Sequence, residues 1–402
     1  MKLKNLTPFI LFFIGILTTP FSVNGQIYYD PGRHCYVDPS TKDCLPNTIL
    51  SSLPFLTIVP DARGASLGDA GIAISPDPSA MHFNAAKIAM SDKTFEMSTT
   101  YTPWLKNLGL NDIYLAYLSG YNKFDKLQGI GYSIRFFSLG EIQFTNADRQ
   151  NIGTGNPNEF ELAVAYARKL SDNFSAALTG KFVHSNLAEG QRVEGILIEA
   201  ANAFAADISM YYKSKVNIGD YKSKLTAGLT FSNLGNKISY TEDAKTKEYL
   251  PQNMAIGAAL EIPFDDYNTI TLIADINKLL LPTPQFDTIT GKPIEYKESP
   301  ITAAIESFSD APGGFVEEMR ELNYSVGLEY WYDKQFAIRA GYFYEHPLKG
   351  DRQFLTLGLG VKYNVYNMNV SYLVPTNSTR SPLDGTLRFS IGMDFSKTKY
   401  KE

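Results

Sequence analysis

The last quarter of the chain, Glu321 to Ser396, alternates between apolar and polar residues with a period of two. Apolar and aromatic residues recur at every second position through five successive runs, one of which holds Leu355, Leu357 and Leu359. The positions between them hold Arg, Lys, Asp, Asn, Ser and many Gly. Because successive side chains of a β-strand point to opposite faces of the sheet, each run has one apolar face and one polar face.

The connections between these runs alternate in length. Asp333-Lys334 and Asn364-Val365 leave two residues between neighbouring runs, which requires antiparallel hairpins, whereas 346–352 and 375–384 are longer polar segments. A soluble sandwich does not require this alternation. A membrane barrel has tight turns at one end, long loops at the other, apolar residues facing lipid and polar residues facing the lumen. The sequence therefore predicts an all-β fold, a transmembrane β-barrel of an outer membrane.

The start of the chain predicts export. Lys2 and Lys4 precede the apolar run Phe9–Leu17, and small and polar residues lead to a cleavage point before Gln26. The apolar run is far shorter than the ~20 residues that a transmembrane helix needs. Residues 1–25 are therefore predicted to be a cleaved signal peptide.

Charge and cysteine content limit the classes of partner. A net charge of −5 gives no indication of nucleic-acid binding. In an exported protein, Cys35 and Cys44 are expected to form one local disulfide. A Cys/His metal site with His34 is the alternative, but it lacks a CxxC spacing and a fourth ligand. No HExxH, Walker or dinucleotide motif occurs, so no cofactor is predicted.

The strand pattern extends back to residue 94 and predicts a barrel over residues 94–396 with about fourteen antiparallel strands; twelve and sixteen are the alternatives. The predicted strands are 94–104, 112–121, 128–138, 158–168, 173–185, 203–213, 223–233, 252–262, 268–277, 321–332, 335–345, 353–363, 366–374 and 385–396. Residues 26–93 lack this pattern and are predicted to be an N-terminal plug, irregular over 28–46 and with a short helix near 85–90. Residues 397–402 form a tail.

The longest connection, 278–320, is the predicted docking loop. Two apolar patches with helical spacing occur in it, and the alternative is a disordered external loop. The candidate partner-docking residues are Ile301, Ile305, Phe308, Phe315 and Met319.

Residues 64–68 match G-x-S-x-G, the nucleophile elbow of α/β hydrolases. That motif requires a buried strand before the serine, and Val59–Arg63 does not form one. A lipid A deacylase that uses Ser66 with His82 or His184 is therefore kept only as an alternative, and no catalytic residue is predicted.

The same region carries a family resemblance. A signature resembling that of FadL-like barrels occurs at residues 60–71 (PDARGASLGDAG) and 79–86 (SAMHFNAA). Within those barrels, the residue sequence of 60–71 resembles that of the PorV (LptO) family. The matching signature positions are Pro60, Asp61, Arg63, Gly68, Asp69, Gly71 and Asn84.

The resemblance implies a non-enzymatic component of the type IX protein secretion system. Such proteins bind secreted cargo through its C-terminal domain at an SprA/Sov-type translocon barrel, and pass it to an attachment complex with the PorU sortase, PorQ and PorZ. Both termini would be periplasmic and the long loops extracellular. A FadL-like channel for hydrophobic small molecules is the main alternative. Lumen-facing glycines such as Gly327, Gly341 and Gly358 are predicted to allow close packing of the plug, rather than to line a ligand tunnel.

Overall fold

The computed structural model describes residues 27–38, 41–106, 109–145, 149–193, 196–241, 247–287, 294, 297–377 and 385–396. The predicted signal peptide and the tail 397–402 lie outside the described residues. Among the described helices, none has the length and apolar character needed to cross a membrane.

Fourteen antiparallel strands close into one ring, as predicted from the alternating pattern. The ring closes where β21 pairs with β4, with Asp394 opposite Glu96. The ring strands are β4 (Phe95–Pro103), β5 (Ile113–Lys123), β6 (Gln128–Leu139), β9 (Asn158–Lys169), β10 (Phe174–Asn186), β13 (Ala201–Ile218), β14 (Tyr221–Gly235), β15 (Asn253–Pro263), β16 (Asn268–Leu279), β17 (Leu322–Tyr332), β18 (Phe336–Tyr344), β19 (Gln353–Tyr363), β20 (Tyr366–Pro375) and β21 (Leu387–Asp394).

The two faces of the wall differ as the period of two requires. On β19, Leu357 and Leu359 are exposed on the outside, whereas Thr356 is buried on the inner face. The same division holds on β17, where Val326 and Leu328 face out. The apolar outer surface and polar inner surface are those of a barrel in a lipid layer.

Short and long connections lie at opposite ends of the ring, as predicted. We call them the short-turn end and the long-loop end. The short-turn end carries the connections 124–127, 170–173, Gly219–Asp220, 264–267, 333–335 and 364–365. The predicted bounds were wrong for one hairpin. Strand β13 ends at Ile218 instead of residue 213, and β14 begins at Tyr221 instead of residue 223. The extension also has a period of two, with Val216 and Ile218 alternating with Lys215 and Asn217, but the predicted bounds left it out.

Smaller elements lie at the long-loop end. The region 28–46 was expected to be irregular. That expectation is wrong, because three short strands of this region pair into a small sheet. Four others form two-stranded hairpins within long connections. These strands are β1 (Tyr28–Asp30), β2 (Cys35–Val37), β3 (Cys44–Leu45), β7 (Ile142–Thr145), β8 (Asn151–Gly155), β11 (Arg192–Val193) and β12 (Ile196–Leu197).

Residues 53–91, which we call the inner segment, lie against the inner face of the ring. The segment contains short helices α1 (Ala62–Ala65) and α2 (Ala80–Phe83), and two 3₁₀ turns, Pro54–Thr57 and Ala85–Met90. The second turn packs against small inward side chains of β9 and β10, including Ala163, Ala165 and Ala177. This matches the short helix expected near 85–90.

Glycines of the wall allow the inner segment to approach the strand backbone. A Cβ atom on Gly341 would overlap the backbone of Leu67 and Gly68, and one on Gly358 would overlap the side chain of Ser66. Gly68 has φ of +68°, and a Cβ there would lie 2.6 Å from the Tyr342 backbone N and O. Backbone therefore meets backbone here, with no room for side chains.

The chain passes through the ring from one end to the other before it forms the wall. Asn47 N donates to Leu348 O and Ser52 N donates to Tyr249 O, and both acceptors belong to long connections. At the short-turn end, Thr94 N donates to Ser396 Oγ. The described chain thus begins at the long-loop end and finishes at the short-turn end. The expectation that both termini lie on the same side is wrong, because polar contacts attach the first strands to the long loops.

The close approach at Gly341 yields a stability prediction. Gly341→Ala adds a Cβ where the backbone of residues 67–68 already lies, so it should lower the free energy of unfolding by about 1–3 kcal/mol. The matched control is Gly180→Ala on the outer face of β10, where a Cβ meets nothing within 4 Å. Denaturant unfolding in lipid vesicles measures the free energy of unfolding of both variants. Equal stability of the two variants would contradict the packing described here.

Candidate docking site at the long-loop end and its support

The signature residues hold the inner segment to itself and to the wall. Asp61 caps α1 by accepting from Gly64 N at 2.9 Å, and Pro60 is buried beside it. The Arg63 guanidinium donates to Glu329 of β17 at 2.8 and 3.0 Å and to Asp77 at 2.6 Å. Arg339 of β18 reaches the same Glu329 at 2.6 Å. Two arginines therefore share one buried carboxylate.

Three other signature positions, Gly68, Gly71 and Asn84, hydrogen-bond to the strands of the ring. Gly68 N donates to Thr356 Oγ1 at 2.8 Å, and the next residue, Asp69, has φ of 63°. Gly71 N donates to Asp275 at 2.7 Å. Asn84 Nδ2 donates to a carbonyl of the inner segment and to the Met210 carbonyl, at 3.2 and 2.9 Å. These contacts assign the signature a structural role, which is to attach the inner segment.

The hydrolase-like motif does not form a catalytic triad. Ser66 is buried, and its hydroxyl donates to the Arg63 carbonyl at 2.7 Å. His82 Nδ1 lies 2.8 Å from the Arg135 guanidinium. His184 is on the outer face, paired with Asn202. Neither histidine is hydrogen-bonded to the serine, so the elbow interpretation finds no support among the described residues.

The five candidate docking residues lie at the long-loop end, four of them on two helices and Phe308 in the turn that follows the first helix. Helix α3 (Pro300–Glu306) begins where Ser299 Oγ accepts from Thr302 N, and α4 (Phe315–Arg320) follows Gly314. Ala303 packs α3 onto Tyr249 and Leu281. The five side chains are 41–78 % exposed, which is unusual for large apolar groups with helical spacing. We call them the docking patch: Ile301, Ile305, Phe308, Phe315 and Met319.

Buried charges fasten α4 to the rim of the barrel. Lys278 at the end of β16 donates to Glu318 at 2.9 Å and to Glu321 at 2.6 Å. Lys349 donates to Glu317 at 2.7 Å and to Glu321 at 3.1 Å. Each carboxylate thus has a lysine partner, and all five groups are buried. The part of the docking patch on α4, Phe315 and Met319, therefore lies on a helix held by buried ion pairs.

Asp310, Glu318 and Glu321 form the one group of metal-ligand type found among the described residues. Lys278 supplies positive charge to both glutamates, and Thr283 donates to Asp310 from its backbone N and its hydroxyl, at 2.9 and 3.0 Å. These carboxylates therefore already accept hydrogen bonds from protein donors. We call the ion-paired set Glu317, Glu318, Glu321, Lys278 and Lys349 the ionic anchor.

The disulfide-linked sheet also contacts α4. The sulfurs of Cys35 and Cys44 are 2.01 Å apart, which is bonding distance. Tyr29 of β1 donates to Glu317 at 3.3 Å, and Arg320 of α4 donates to the His34 carbonyl at 2.8 Å. The sheet strands β1–β3 therefore stabilise the base of the docking patch.

These contacts change the titration of the anchor. Burial raises the pKa of Glu317, but the hydrogen bonds from Asn47 and Lys349 and the Lys349 charge outweigh it, so the net pKa is lowered. Burial, together with the adjacent Glu317 charge, raises the pKa of Tyr29 to about 12. These hydrogen bonds and the Lys349 charge therefore stabilise the ionised form of Glu317.

A cavity of about 430 Å³ lies between the inner segment and the long-loop end. Its wall mixes apolar groups, such as Ile72 and Phe343, with polar ones, such as Asn277, Asn323 and Glu345. A site for a purely hydrophobic molecule would have few polar groups.

The five apolar residues of the docking patch were candidates from the sequence and are exposed, but their role in docking stays a prediction and their charged support was missed. Lys278, Lys349 and Glu317 are ordinary charged residues in the sequence, and only the fold brings them together. The available signal was the set of acidic residues Glu317, Glu318 and Glu321 among apolar positions, which marks the inner face of α4.

A sequence profile described as "Type IX secretion system protein PorV" matches residues 41–286, more than half of the chain. The chain belongs to the PorV family. The resemblance seen in the signature is thereby confirmed, and a PorV-family barrel is a protein of the outer membrane. No curated protein sequence matched the chain.

Solved structures resemble this PorV-family barrel in fold. The P. putida toluene transporter TodX has a TM-score of 0.50 and 10 % identity, over 84 % of this chain and 99 % of TodX. A Pseudomonas aeruginosa FadL homologue has a TM-score of 0.42 and 13 % identity, over 87 % of this chain and 100 % of its own. At such identity the likeness to TodX shows a FadL-like fold alone.

The shared carboxylate of Glu329 yields a second stability prediction. Glu329→Gln leaves Arg339 buried without its carboxylate and Arg63 with Asp77 as its one remaining carboxylate partner, which should cost about 3–5 kcal/mol. The control is Glu261→Gln, because Glu261 pairs with Lys224 at 2.9 Å in a more exposed position. That loss should be about 0–1 kcal/mol. The free energies of unfolding of both variants are measured in lipid vesicles. A loss of stability for Glu329→Gln as small as that for Glu261→Gln would contradict the buried network.

The lowered pKa of Glu317 predicts a pH dependence. A carboxyl with a folded pKa below its unfolded pKa stabilises fully above the unfolded value, and the stabilisation is lost as pH falls through the folded value. Amides of 311–320 should therefore exchange faster below about pH 4. Hydrogen exchange, corrected for its intrinsic pH dependence, measures this. Glu317→Gln should exchange faster already at neutral pH and lose the acid step, whereas Glu306→Gln on exposed α3 should behave as wild type.

Proposed function

We propose that this protein binds secreted cargo through the cargo's type IX C-terminal domain, at an SprA/Sov-type translocon barrel, and passes it to an attachment complex with PorU, PorQ and PorZ. It would do so without catalysing a reaction. The family membership supports a place in type IX secretion. The single observation that carries the binding role is the exposed docking patch at the long-loop end, part of which lies on the anchored helix α4.

The docking patch has the chemistry of a protein-binding surface. Exposed clusters of large apolar side chains on an otherwise polar surface mark interaction sites. Phe308 and Phe315 are aromatic, the type of side chain enriched in interface hot spots. A patch of five side chains is smaller than an obligate interface, and a modest contact area suits a partner that must be released again.

The ionic anchor supports a preorganised site. Because Glu317, Glu318 and Glu321 are each paired with a buried lysine, α4 keeps its orientation before any partner arrives. Binding then requires little additional ordering of backbone, which lowers the entropic cost of association.

In the proposed orientation the long-loop end faces the outside of the cell and the short-turn end faces the periplasm. Long loops outside and tight turns inside are the rule for bacterial barrels. Cargo that has crossed the membrane would meet the docking patch there, and the outer-membrane lipid would surround the apolar wall.

The proposed role predicts that negative charges introduced into the docking patch weaken partner binding, whereas the same charges elsewhere do not. The assay isolates the protein by affinity and measures the translocon barrel or cargo recovered with it. The double substitution Ile301→Asp and Phe315→Asp should reduce this recovery by about tenfold, because binding would bury each new carboxylate without a partner. Quantitative mass spectrometry measures recovery. The control, Leu187→Asp with Ile196→Asp, places the same charges on other exposed residues of long connections.

Equal recovery with the patch and control variants would contradict a role for the docking patch. Deletion of the gene tests the function itself, because cargo should then accumulate in the periplasm. Normal secretion in the deletion strain would contradict the proposal whatever the patch variants do.

A channel for small hydrophobic molecules is the second candidate function. Its support is the likeness in fold to TodX, a protein described as a toluene transporter. The polar groups in the cavity wall and the close packing of the inner segment against Gly341 and Gly358 favour the docking role instead. Loss of uptake of one hydrophobic compound in the deletion strain, with secretion intact, would favour the channel.

A further inference from the structure

The hairpin made by the ends of β13 and β14 extends beyond its neighbours at the short-turn end. Pairing of β13 with β10 stops at Tyr212, whereas pairing with β14 continues to Ile218. On the other side, pairing of β14 with β15 stops at Lys224. The hairpin tip, residues 213–224, therefore has little or no neighbouring strand.

One face of this tip is basic. Lys213 and Lys215 continue the inner face of β13, on which Tyr211 is buried, and Lys222 and Lys224 stand on the same face of β14. The pairs are Lys213 with Thr226, Lys215 with Lys224, and Asn217 with Lys222. We call this surface the lysine face.

The opposite face of the tip is apolar. Val216, Ile218, Tyr221 and Leu225 continue the lipid-facing surface of the barrel, and the Tyr221 ring contacts the Phe264 ring at 5.2 Å. Such side chains suit the membrane boundary. The lysine face therefore points away from lipid, toward the water at the mouth of the ring.

The lysine face carries unbalanced charge. Lys215 lies directly opposite Lys224, an arrangement that destabilises a hairpin. Lys224 is paired with Glu261 at 2.9 Å, but no described carboxylate pairs with Lys213, Lys215 or Lys222. Lys215 and Lys222 are exposed. The chain as a whole has a net charge of −5, so this cluster is a local feature and not a result of composition.

We propose that the lysine face is a docking surface for an acidic polypeptide segment in extended conformation. Alternate residues of a strand are separated by about 6.5–7 Å, and lysines directly opposite by about 5 Å. An extended segment with a carboxylate at every second residue has the same spacing and supplies the missing negative charge. In the orientation proposed above, this partner is periplasmic.

The test uses the full mature chain in nanodiscs of zwitterionic lipid. The probe is a fluorescent ten-residue peptide that alternates Glu and Thr, with a Gln/Thr peptide as its neutral counterpart. Lys215→Glu with Lys222→Glu should weaken binding of the acidic peptide by about tenfold. These positions leave the Lys224–Glu261 pair in place, and the heat-dependent gel shift of folded barrels confirms that each variant is folded.

The matched control is Lys126→Glu with Lys334→Glu, which makes the same charge change in two other short turns. It should weaken binding by less than about threefold. Equal weakening by both double variants would overturn the proposal, because net charge alone would then explain it. Failure of the acidic peptide to bind better than the neutral one would also overturn it.

A second measurement separates the bilayer from a polypeptide as the occupant. Acetylation of Lys215 and Lys222, followed by mass spectrometry, should fall when the acidic peptide is added and stay unchanged when the nanodisc lipid is made anionic. Protection by anionic lipid alone would assign the lysines to the membrane surface and overturn the proposal.

Discussion

The structure depends on the need to pair every backbone amide of a sheet that lies in lipid. No water is available there to satisfy an open edge, so the last strand must bond to the first. Pairing of β21 with β4 meets this need and makes one ring of fourteen strands. The outward apolar face then follows from the period of two, and every other feature is attached either to the inside of the ring or to one of its ends.

A ring of this size has an interior that inward side chains do not fill by themselves. The inner segment lies there, and its attachment combines two devices. Glycines such as Gly341 let backbone approach backbone, and buried charges such as Arg63, Glu329 and Arg339 bind across the interior. The charges stabilise the arrangement only as a complete set, because a buried charge without a partner is costly.

The two ends of the ring use charge in different ways. At the long-loop end, lysines and glutamates are paired and buried, so they hold α4 and leave the docking patch exposed. At the short-turn end, no described carboxylate pairs with Lys213, Lys215 or Lys222 of the β13–β14 tip. The first arrangement builds a surface for apolar contacts, and the second favours an anionic partner. The chain reaches both ends because its N-terminal part threads through the ring before β4 begins.

The sequence by itself indicated about fourteen strands, their two faces, the division into short turns and long loops, and the apolar positions of 301–319, because these depend on local spacing. The signature of residues 60–86 also indicated the family. Only the tertiary structure decided that Arg63 meets Glu329, that Lys278 and Lys349 hold α4, that β13 and β14 extend to Ile218 and Tyr221, and that residues 28–52 lie at the long-loop end. These features depend on contacts between residues far apart in the chain or on polar pairing, and a period of two records the face of a residue but not its partner.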